Sequence, residues 1–179
     1  GGKKWDRIVS NSDVEGYCLS IVQDPVEPRL LFLGTENGLY VSFDFGESWK
    51  PWRNGIPAVS VMDLKIHPRE HDLVLATFGR AFWVLDNIAP LRTWCEKQPE
   101  DLQFFPIPDA YLASYTEASG LRFTAQAHYK GQNRERGAMI SFWISEKLIQ
   151  KNKQADVLIL DGKGDTVRNF KTQVDTGFN

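Results

Sequence analysis

The sequence has no excess of charge of one sign. Its 179 residues include 21 Lys and Arg against 23 Asp and Glu, which gives a formal net charge of −2 at pH 7. Proteins that bind nucleic acids or anionic membranes through bulk charge carry a clear basic excess. The chain also has no run that approaches the roughly 18 consecutive apolar residues needed to span a bilayer. We therefore expect neither a nucleic-acid partner nor a membrane partner.

Cysteine is scarce, and so is helical patterning. The two cysteines, Cys18 and Cys95, allow at most one disulfide, whereas disulfide-stabilised small domains are far denser in cysteine. We interpret both as small buried hydrophobic side chains rather than as a redox pair or metal ligands. Helical spacing of apolar residues is almost absent. The remaining composition, 42% hydrophobic and 25% charged, is typical of a globular chain.

Short apolar runs alternate with turn residues along the chain, which is the pattern of a protein built from many short strands. A first unit contains four predicted strands within about 35 residues, and tight turns join them. These predicted strands are residues 18–22, 30–34, 39–42 and 48–52.

The same pattern recurs one unit later, which indicates an internal repeat. Pro25 and Pro68 are 43 residues apart, and residues 82–86 parallel residues 40–44 at a separation of 42. A period near 42 residues with four strands per unit is typical of a β-propeller blade. We therefore predict an all-β fold that contains two four-stranded propeller-type blades. A pair of meander sheets in a sandwich is the alternative.

The composition changes after the second unit. Residues 96–136 are rich in proline and polar residues, and we predict an extended connector, part of it ordered against the preceding sheets. Its predicted anchors are Phe104, Phe105 and Tyr111. Strand patterns resume later, with a hairpin turn at residues 161–164. We assign residues 1–95 to the two blades and residues 137–179 to an incomplete β-sandwich.

One stretch, residues 42–49, combines turn formers with an aromatic anchor in the pattern S-x-D-x-G-x-S-W. Its aspartate can accept hydrogen bonds from backbone N–H groups two to four residues on, and its glycine permits a positive φ. The two serines can close the turn from either side, and the tryptophan begins the next strand as a large anchor. The predicted structural set is Ser42, Asp44, Gly46, Ser48 and Trp49.

This stretch resembles the Asp-box of the bacterial-neuraminidase repeat, which occurs in sialidases, sortilin-type receptors and xyloglucanase-like propellers. The likeness continues through residues 33–42, 63–74 and 76–92, which resemble the closing blades of large bacterial propeller proteins. Phe78 departs from that pattern, because the relatives usually have histidine there. Residues 161–168 resemble the opening of the immunoglobulin-like domain that often follows. Residues 86–90 hold no Gly or Trp in register, so the second unit lacks an Asp-box.

The resemblance implies that the chain is part of a longer bacterial protein that is secreted, periplasmic or held in the cell envelope. It implies the last two blades of a propeller, a connector, and the start of an immunoglobulin-like β-sandwich. The expected function is a non-catalytic scaffold or interaction segment that binds a polysaccharide or another protein. Self-association through the unpaired blade faces is a further expectation. The alternative is a fragment of a sialidase-like or xyloglucanase-like glycoside hydrolase whose catalytic residues lie mainly outside this chain.

The sequence shows no catalytic set, and we predict no cofactor and no metal site. Glycoside hydrolysis needs two carboxylates across a cleft, whereas we interpret Asp44, Asp63 and Asp86 as turn or capping residues. The histidines are interpreted as turn or surface residues: His67, His71 and His128. The tryptophans are interpreted mainly as packing residues: Trp52, Trp83, Trp94 and Trp143. Three side chains of the second unit remain as candidate ligand contacts: Arg80, Trp83 and Arg92.

Overall fold

The structure is a computed structural model that describes residues 2–111, 134, 137–149 and 153–179. These residues form twelve β-strands and one short helix, and the strands are arranged in several antiparallel sheets. The prediction of an all-β chain is confirmed at this level.

The first sheet is a four-stranded antiparallel meander, as the sequence predicts. It contains β1 (Cys18–Gln23), β2 (Leu31–Thr35), β3 (Gly38–Ser42) and β4 (Lys50–Trp52), in that spatial order. Every residue of β2 and β3 is buried. Strands that are covered on both faces have near-continuous hydrophobic sequences instead of alternating ones. The central strands of this sheet therefore lie between two apolar layers.

In the part of the chain that the structure describes, the second sheet has three strands instead of the predicted four. It contains β5 (Val61–Ile66), β6 (Leu73–Thr77) and β7 (Phe82–Leu85). After β7 the chain does not return as a fourth strand. It forms the helix α1 (Ala89–Glu96) instead.

The helix α1 is not predicted from the sequence because it is short. Its eight residues show only two turns of periodicity, too few to stand out in a window of 11 to 18 residues. Pro90 lies in the first turn, where its fixed φ suits a helix and its missing N–H costs nothing. Leu91 and Cys95, four residues apart, both pack toward the main core.

The remaining strands form two small sheets. β8 (Leu102–Phe104), β9 (Phe142–Ile144) and β12 (Gly177–Phe178) make a three-stranded sheet with β9 in the centre. β10 (Gln154–Leu160) and β11 (Thr166–Gln173) make a hairpin. β8 belongs to the segment predicted as connector, and it pairs with β9 rather than with the preceding sheets.

The predicted anchors of the connector have different environments. Phe105 is buried and stacks on Phe178 with ring centroids 5.5 Å apart. Phe104 is 58% exposed but contacts Phe142, whereas Tyr111 is 77% exposed. The prediction that Tyr111 is an anchor is therefore wrong. After Tyr111 the predicted connector lies outside the described residues, apart from residue 134.

The first two sheets share an irregularity at the same place, which supports the sequence repeat. The pairing of β1 with β2 shifts between Cys18 and Ser20, and the pairing of β5 with β6 shifts between Val61 and Asp63. Each bulge residue of the second sheet lies 43 positions after its counterpart. A β-bulge bends its strand and increases the local twist, so the two first strands are distorted alike.

The turns after β2 and β6 are also closed in the same way. The hydroxyl of Thr35 donates to the carbonyl of Gly38 (3.1 Å), and that of Thr77 donates to the carbonyl of Ala81 (2.7 Å). The second turn is one residue longer. It follows that the third strands are equivalent at a separation of 43 rather than the predicted 42.

The register of the strands defines two faces for each sheet. One face of each sheet is called the leading face. In the first sheet the leading face carries Ile21, Leu31, Leu33 and Tyr40. In the second sheet it carries Leu64, Leu73, Leu75 and Trp83. The opposite face of each sheet is called the trailing face. In the first sheet the trailing face carries Val22, Phe32, Leu39 and Val41. In the second sheet it carries Lys65, Val74, Phe82 and Val84.

The two sheets pack front to back. The main core joins the trailing face of the first sheet, represented by Phe32 and Val41, to the leading face of the second, represented by Leu64 and Leu75. A smaller core covers the leading face of the first sheet with Val14 and other residues from outside β1 to β3. The contact between the two sheets therefore joins a trailing face to a leading face, and not two faces of the same kind.

The two sheets approach each other closely at Gly34. The hydroxyl of Ser20 donates to the carbonyl oxygen of Val61 across the interface (3.3 Å). A Cβ atom at Gly34 would lie 2.5 Å from that same oxygen and would also collide with the Ser20 hydroxyl. Only glycine leaves room for a second backbone this near.

We expect Gly34→Ala to destabilise the protein by about 1–3 kcal/mol or more, because the added methyl group forces the sheets apart. Urea unfolding monitored by circular dichroism would measure the change. Gly162→Ala is the matched control, since no heavy atom lies within 4 Å of a Cβ at that position. Equal stability of the two variants would contradict the close approach.

Candidate functional site

The turn after β3 has the hydrogen bonds that the S-x-D-x-G-x-S-W pattern predicts. The buried hydroxyl of Ser42 donates to Asp44 Oδ1 (2.7 Å) and accepts from the backbone N–H of Gly46 (2.8 Å). Asp44 Oδ1 also accepts from the backbone N–H of Ser48 (2.9 Å), and Asp44 Oδ2 accepts from the Ser48 hydroxyl. These hydrogen bonds join only groups of the motif itself, so the residues of the motif hold the turn in its conformation.

The glycine and the tryptophan of the motif connect this turn to the start of the chain. Gly46 has a φ of +89°, which an L side chain rarely adopts. Trp49 is buried, and its indole N–H donates to the carbonyl of Ile8 (2.9 Å). A Cβ at Gly46 would lie 3.3 Å from the Ile8 side chain. The turn therefore fixes the N-terminal segment over the leading face of the first sheet.

The chemistry of Asp44 is that of a hydrogen-bond acceptor. Partial burial raises the pKa of its carboxyl group, but hydrogen bonds from Ser48 and Ser42 outweigh burial, and the net pKa is lower than the ordinary value. A carboxyl group with a lowered pKa stays ionised and cannot serve as a general acid near neutral pH. Asp44 thus has a structural role in this geometry.

We expect Asp44→Ala to cost about 1–2 kcal/mol at pH 7, because it leaves the turn donors of Ser42 and Ser48 without their acceptor. Because the folded pKa is lowered, the carboxylate stabilises the fold above the ordinary aspartate pKa of 3.8 and loses that effect as pH falls through the folded value. The difference from wild type should therefore shrink in acid. Urea titrations from pH 7 to pH 3 would test this, with Asp6→Ala on the exposed N-terminal segment as control.

Arg92, a candidate ligand contact, is bound to a buried carboxylate. The side chain of Asp24 has no exposed area, and it accepts from Arg92 Nε (3.1 Å) and Arg92 Nη2 (2.9 Å). The same carboxylate accepts from the backbone N–H groups of Val26 (2.8 Å) and Glu27 (2.7 Å). The Arg92 guanidinium is thus engaged within the protein. It ties α1 to the loop between β1 and β2.

A second arginine strengthens the same contact. Arg29 pairs with Glu27 (2.8 Å) and donates to the carbonyl of Cys95 at the end of α1 (2.8 Å). The hydrogen bond from Arg29 lowers the pKa of Glu27 to about 2.

Burial raises the pKa of the Cys95 thiol to about 12, so this half-buried group stays protonated. Cys18, by contrast, is exposed, and its predicted burial is wrong.

We expect Asp24→Ala to destabilise the protein by about 3–5 kcal/mol, because it leaves the mostly buried charge of Arg92 without a partner. The loss would be measured as a lower urea midpoint. Arg69→Ala is the control, since the Arg69–Glu70 pair is largely exposed and such pairs contribute little. A midpoint for Asp24→Ala close to that of the control would contradict a central role for this ion pair.

Arg80 and Trp83 lie at the other end of the sheets from Arg92. We call this the upper end; it holds the turns after β2 and β6. The indole N–H of Trp83 donates to the carbonyl of Arg80 (3.0 Å), while its ring packs on the main core. The Arg80 side chain is exposed. The structure therefore brings two of the three candidate ligand contacts together and separates the third.

Exposed aromatic rings accompany Arg80 at the upper end, and the sequence analysis did not select them. Tyr17 is 77% exposed and Phe78 is 75% exposed. Their backbones are linked through neighbouring segments: Glu36 N–H donates to the Tyr17 carbonyl, the Ser60 hydroxyl to the Glu36 carbonyl, and Phe78 N–H to the Ser60 carbonyl. The feature of the sequence that could have identified these two rings is an aromatic residue beside a glycine in a turn. We call Tyr17, Glu36, Phe78 and Arg80 the upper surface.

The other carboxylates act mainly on nearby backbone groups. Asp63 Oδ1 accepts from the backbone N–H of Leu64, and Asp72 Oδ1 accepts from that of Asn87. Asp86 keeps access to solvent, yet partial burial and then the charge of Asp72 raise the pKa of its carboxyl group. Asp86 is therefore a carboxyl group with a raised pKa that senses the charge of a second carboxylate, Asp72.

The histidines fit turn positions. The ring of His67 accepts from the backbone N–H of Glu70 (3.1 Å), and His71 Nδ1 lies 3.3 Å from Arg92 Nη2. His128 lies outside the described residues. Among the residues that the structure describes, no three His, Cys, Asp or Glu side chains are placed to hold a metal ion. Trp94 and Trp143 pack edge to face, with ring centroids 5.8 Å apart.

No family model, curated protein or solved structure matches this chain. In the part of the chain that the structure describes, no helix is long and apolar enough to cross a membrane. The functional assignment therefore rests on the sequence motif and on the geometry given above.

Proposed function

We propose that this chain is a non-catalytic scaffold and interaction segment of an exported Asp-box repeat protein of the propeller type, and that its upper surface binds a polysaccharide. The observation that carries the proposal is the repetition of one sheet unit, with the same bulge and the same turn closure 42 or 43 residues apart. Propellers are built by such repetition around an axis.

The packing of the sheets supports a propeller-type arrangement. Each blade of a propeller packs one face on the preceding blade and the other face on the next. The first sheet is covered on both faces, and its trailing face meets the leading face of the second. The first strands of the two units, β1 and β5, also lie side by side, as Ser20 and Val61 show.

The C-terminal strands are the proposed start of an immunoglobulin-like sandwich. A cavity of about 260 Å³ lies between the β10–β11 hairpin and the sheet that contains β9. Its lining combines apolar side chains, among them Phe142, Val157 and Phe170, with polar ones such as Gln173. Two sheets that enclose apolar side chains between them are the elementary unit of a β-sandwich.

The upper surface has the chemistry that polysaccharide recognition requires. Exposed rings such as Tyr17 and Phe78 offer flat apolar faces to sugar rings, and the phenol also offers a hydrogen bond. Arg80 supplies donors for hydroxyl or carboxylate groups, and Glu36 supplies acceptors. Asp24 and Asp44 lie at the end of the first sheet opposite the upper end. Arginine and serine side chains engage their carboxylates, which favours a structural role for them over catalysis.

The test is to measure binding and turnover of a panel of neutral and acidic polysaccharides with the full chain. We expect binding to at least one polymer without release of reducing sugar. Phe78→Ala and Arg80→Ala should each weaken binding about tenfold, which corresponds to 1.4 kcal/mol. Phe45→Ala is the control, because Phe45 is also an exposed phenylalanine but lies in the Asp-box turn.

Two results would contradict the proposal. If none of the polysaccharides binds, or if Phe45→Ala weakens binding as much as Phe78→Ala, the upper surface is not the contact. If the chain hydrolyses a glycan, the alternative of a glycoside hydrolase fragment is favoured. The raised pKa of Asp86 beside Asp72 is the observation in support of that alternative. In that case Asp86→Asn should abolish turnover and leave binding intact.

A further inference from the structure

We infer that Asn54 is a site of spontaneous covalent modification, where its side-chain amide is converted to a carboxylate through a cyclic imide formed with Gly55. The reaction consumes only water and releases ammonia. It concerns the loop between β4 and β5 and involves no ligand, so the inference is independent of polysaccharide binding.

An asparagine that precedes a glycine is open to attack by its own main chain. When the peptide nitrogen of the glycine loses its proton, it can form a bond to Cγ of the asparagine. The bond from Cγ to Nδ2 then breaks, and ammonia leaves. Glycine has no Cβ to hinder this approach. The reaction is intramolecular, so its rate depends on whether the fold lets the two atoms meet.

Water then opens the imide ring at one of its two carbonyl groups. Opening at Cγ gives aspartate, and opening at the former main-chain carbonyl gives isoaspartate. In isoaspartate the main chain runs through the side-chain carbon and is longer by one methylene group. Either product adds one negative charge to a chain whose formal net charge is −2.

The sequence contains two asparagine–glycine pairs, Asn37–Gly38 and Asn54–Gly55. Both asparagines are exposed, so access to water does not distinguish them. The difference lies in the main chain that holds each glycine nitrogen.

Gly38 is fixed in a hydrogen-bonded hairpin. It is buried, it begins β3, and it lies opposite Thr35 across the two-residue turn between β2 and β3. The pair that flanks such a turn exchanges main-chain hydrogen bonds. The Thr35 hydroxyl also accepts from the Asn37 N–H (3.1 Å), and Arg53 Nη1 donates to the Asn37 carbonyl (3.2 Å). The Gly38 nitrogen can therefore attack only when the hairpin opens.

Gly55 lies outside the sheets, in the loop between β4 and β5. It is exposed, its φ is +68°, and a Cβ at this position would have no heavy atom within 4 Å. Among the described residues, no group accepts a hydrogen bond from the Gly55 N–H. The Trp52 indole N–H donates to the main-chain carbonyl of Asn54 (3.0 Å), which is neither of the reacting atoms. The attack at Asn54 therefore requires no strand pairing to break.

The test is to incubate the full chain in mildly alkaline buffer, because the attacking nitrogen must lose its proton. Peptide mass spectrometry in water enriched in heavy oxygen would follow each asparagine separately. Conversion should be at least about tenfold faster at Asn54 than at Asn37, which corresponds to a difference of about 1.4 kcal/mol in barrier. An isoaspartate-specific methyltransferase should label the incubated chain.

Asn54→Gln should abolish the acidic species that ion-exchange chromatography detects, because the longer side chain closes the ring far more slowly. Asn37→Gln is the matched control and should leave that species unchanged. Circular dichroism would establish that both variants fold as the wild type does. In the chain unfolded by urea, the two asparagines should react at similar rates, since each precedes a glycine.

Three results would overturn the inference. The first is conversion in the folded chain that is as fast at Asn37, or at any other asparagine, as at Asn54. The second is an Asn54 that stays unchanged in the folded chain while it reacts in urea. The third is a tenfold preference for Asn54 that persists in urea, which would assign the selectivity to the local sequence. None of these results bears on polysaccharide binding, so failure here is distinct from failure of the proposed function.

Discussion

The front-to-back packing of the first two sheets is the constraint on which the rest of the structure depends. It requires the backbone of Gly34 to lie against the carbonyl of Val61, and it gives the main core its two layers. Because packed interiors tolerate little change in volume, a single methyl group at this point affects both sheets. The same packing leaves one trailing face exposed, with Phe82 and Val84 outward.

Among the described residues, α1 follows β7 in place of a fourth strand of the second sheet. The helix covers part of the main core with Leu91 and returns Arg92 to the Asp24 carboxylate on the first sheet. A buried ion pair adds little net stability by itself, but removal of one partner is costly. The pair therefore specifies where the helix lies. It also explains why a residue that resembles a ligand contact in sequence is unavailable to a ligand.

Local features of the sequence were predicted well where their causes are local. The hydrogen bonds of the Ser42–Asp44–Ser48 turn depend on residues within six positions, and each of them is present. The short helix, the exposure of Cys18 and that of Tyr111 were missed, because they depend on which neighbours cover each segment. The upper surface was missed for the same reason. Its residues come from three separate turns.

The strands of the first sheet, the repeat and the hydrogen bonds of the turn over residues 42–49 could be predicted from the sequence, since apolar alternation and turn chemistry act over a few residues. The sequence does not predict which face of each sheet meets its neighbour, that Arg92 pairs with Asp24, or that Phe82 and Val84 stay uncovered; these follow from the folded chain. The Ser20–Val61 and Asp24–Arg92 contacts, for example, join residues 41 and 68 positions apart. No short window of sequence contains the information that sets them.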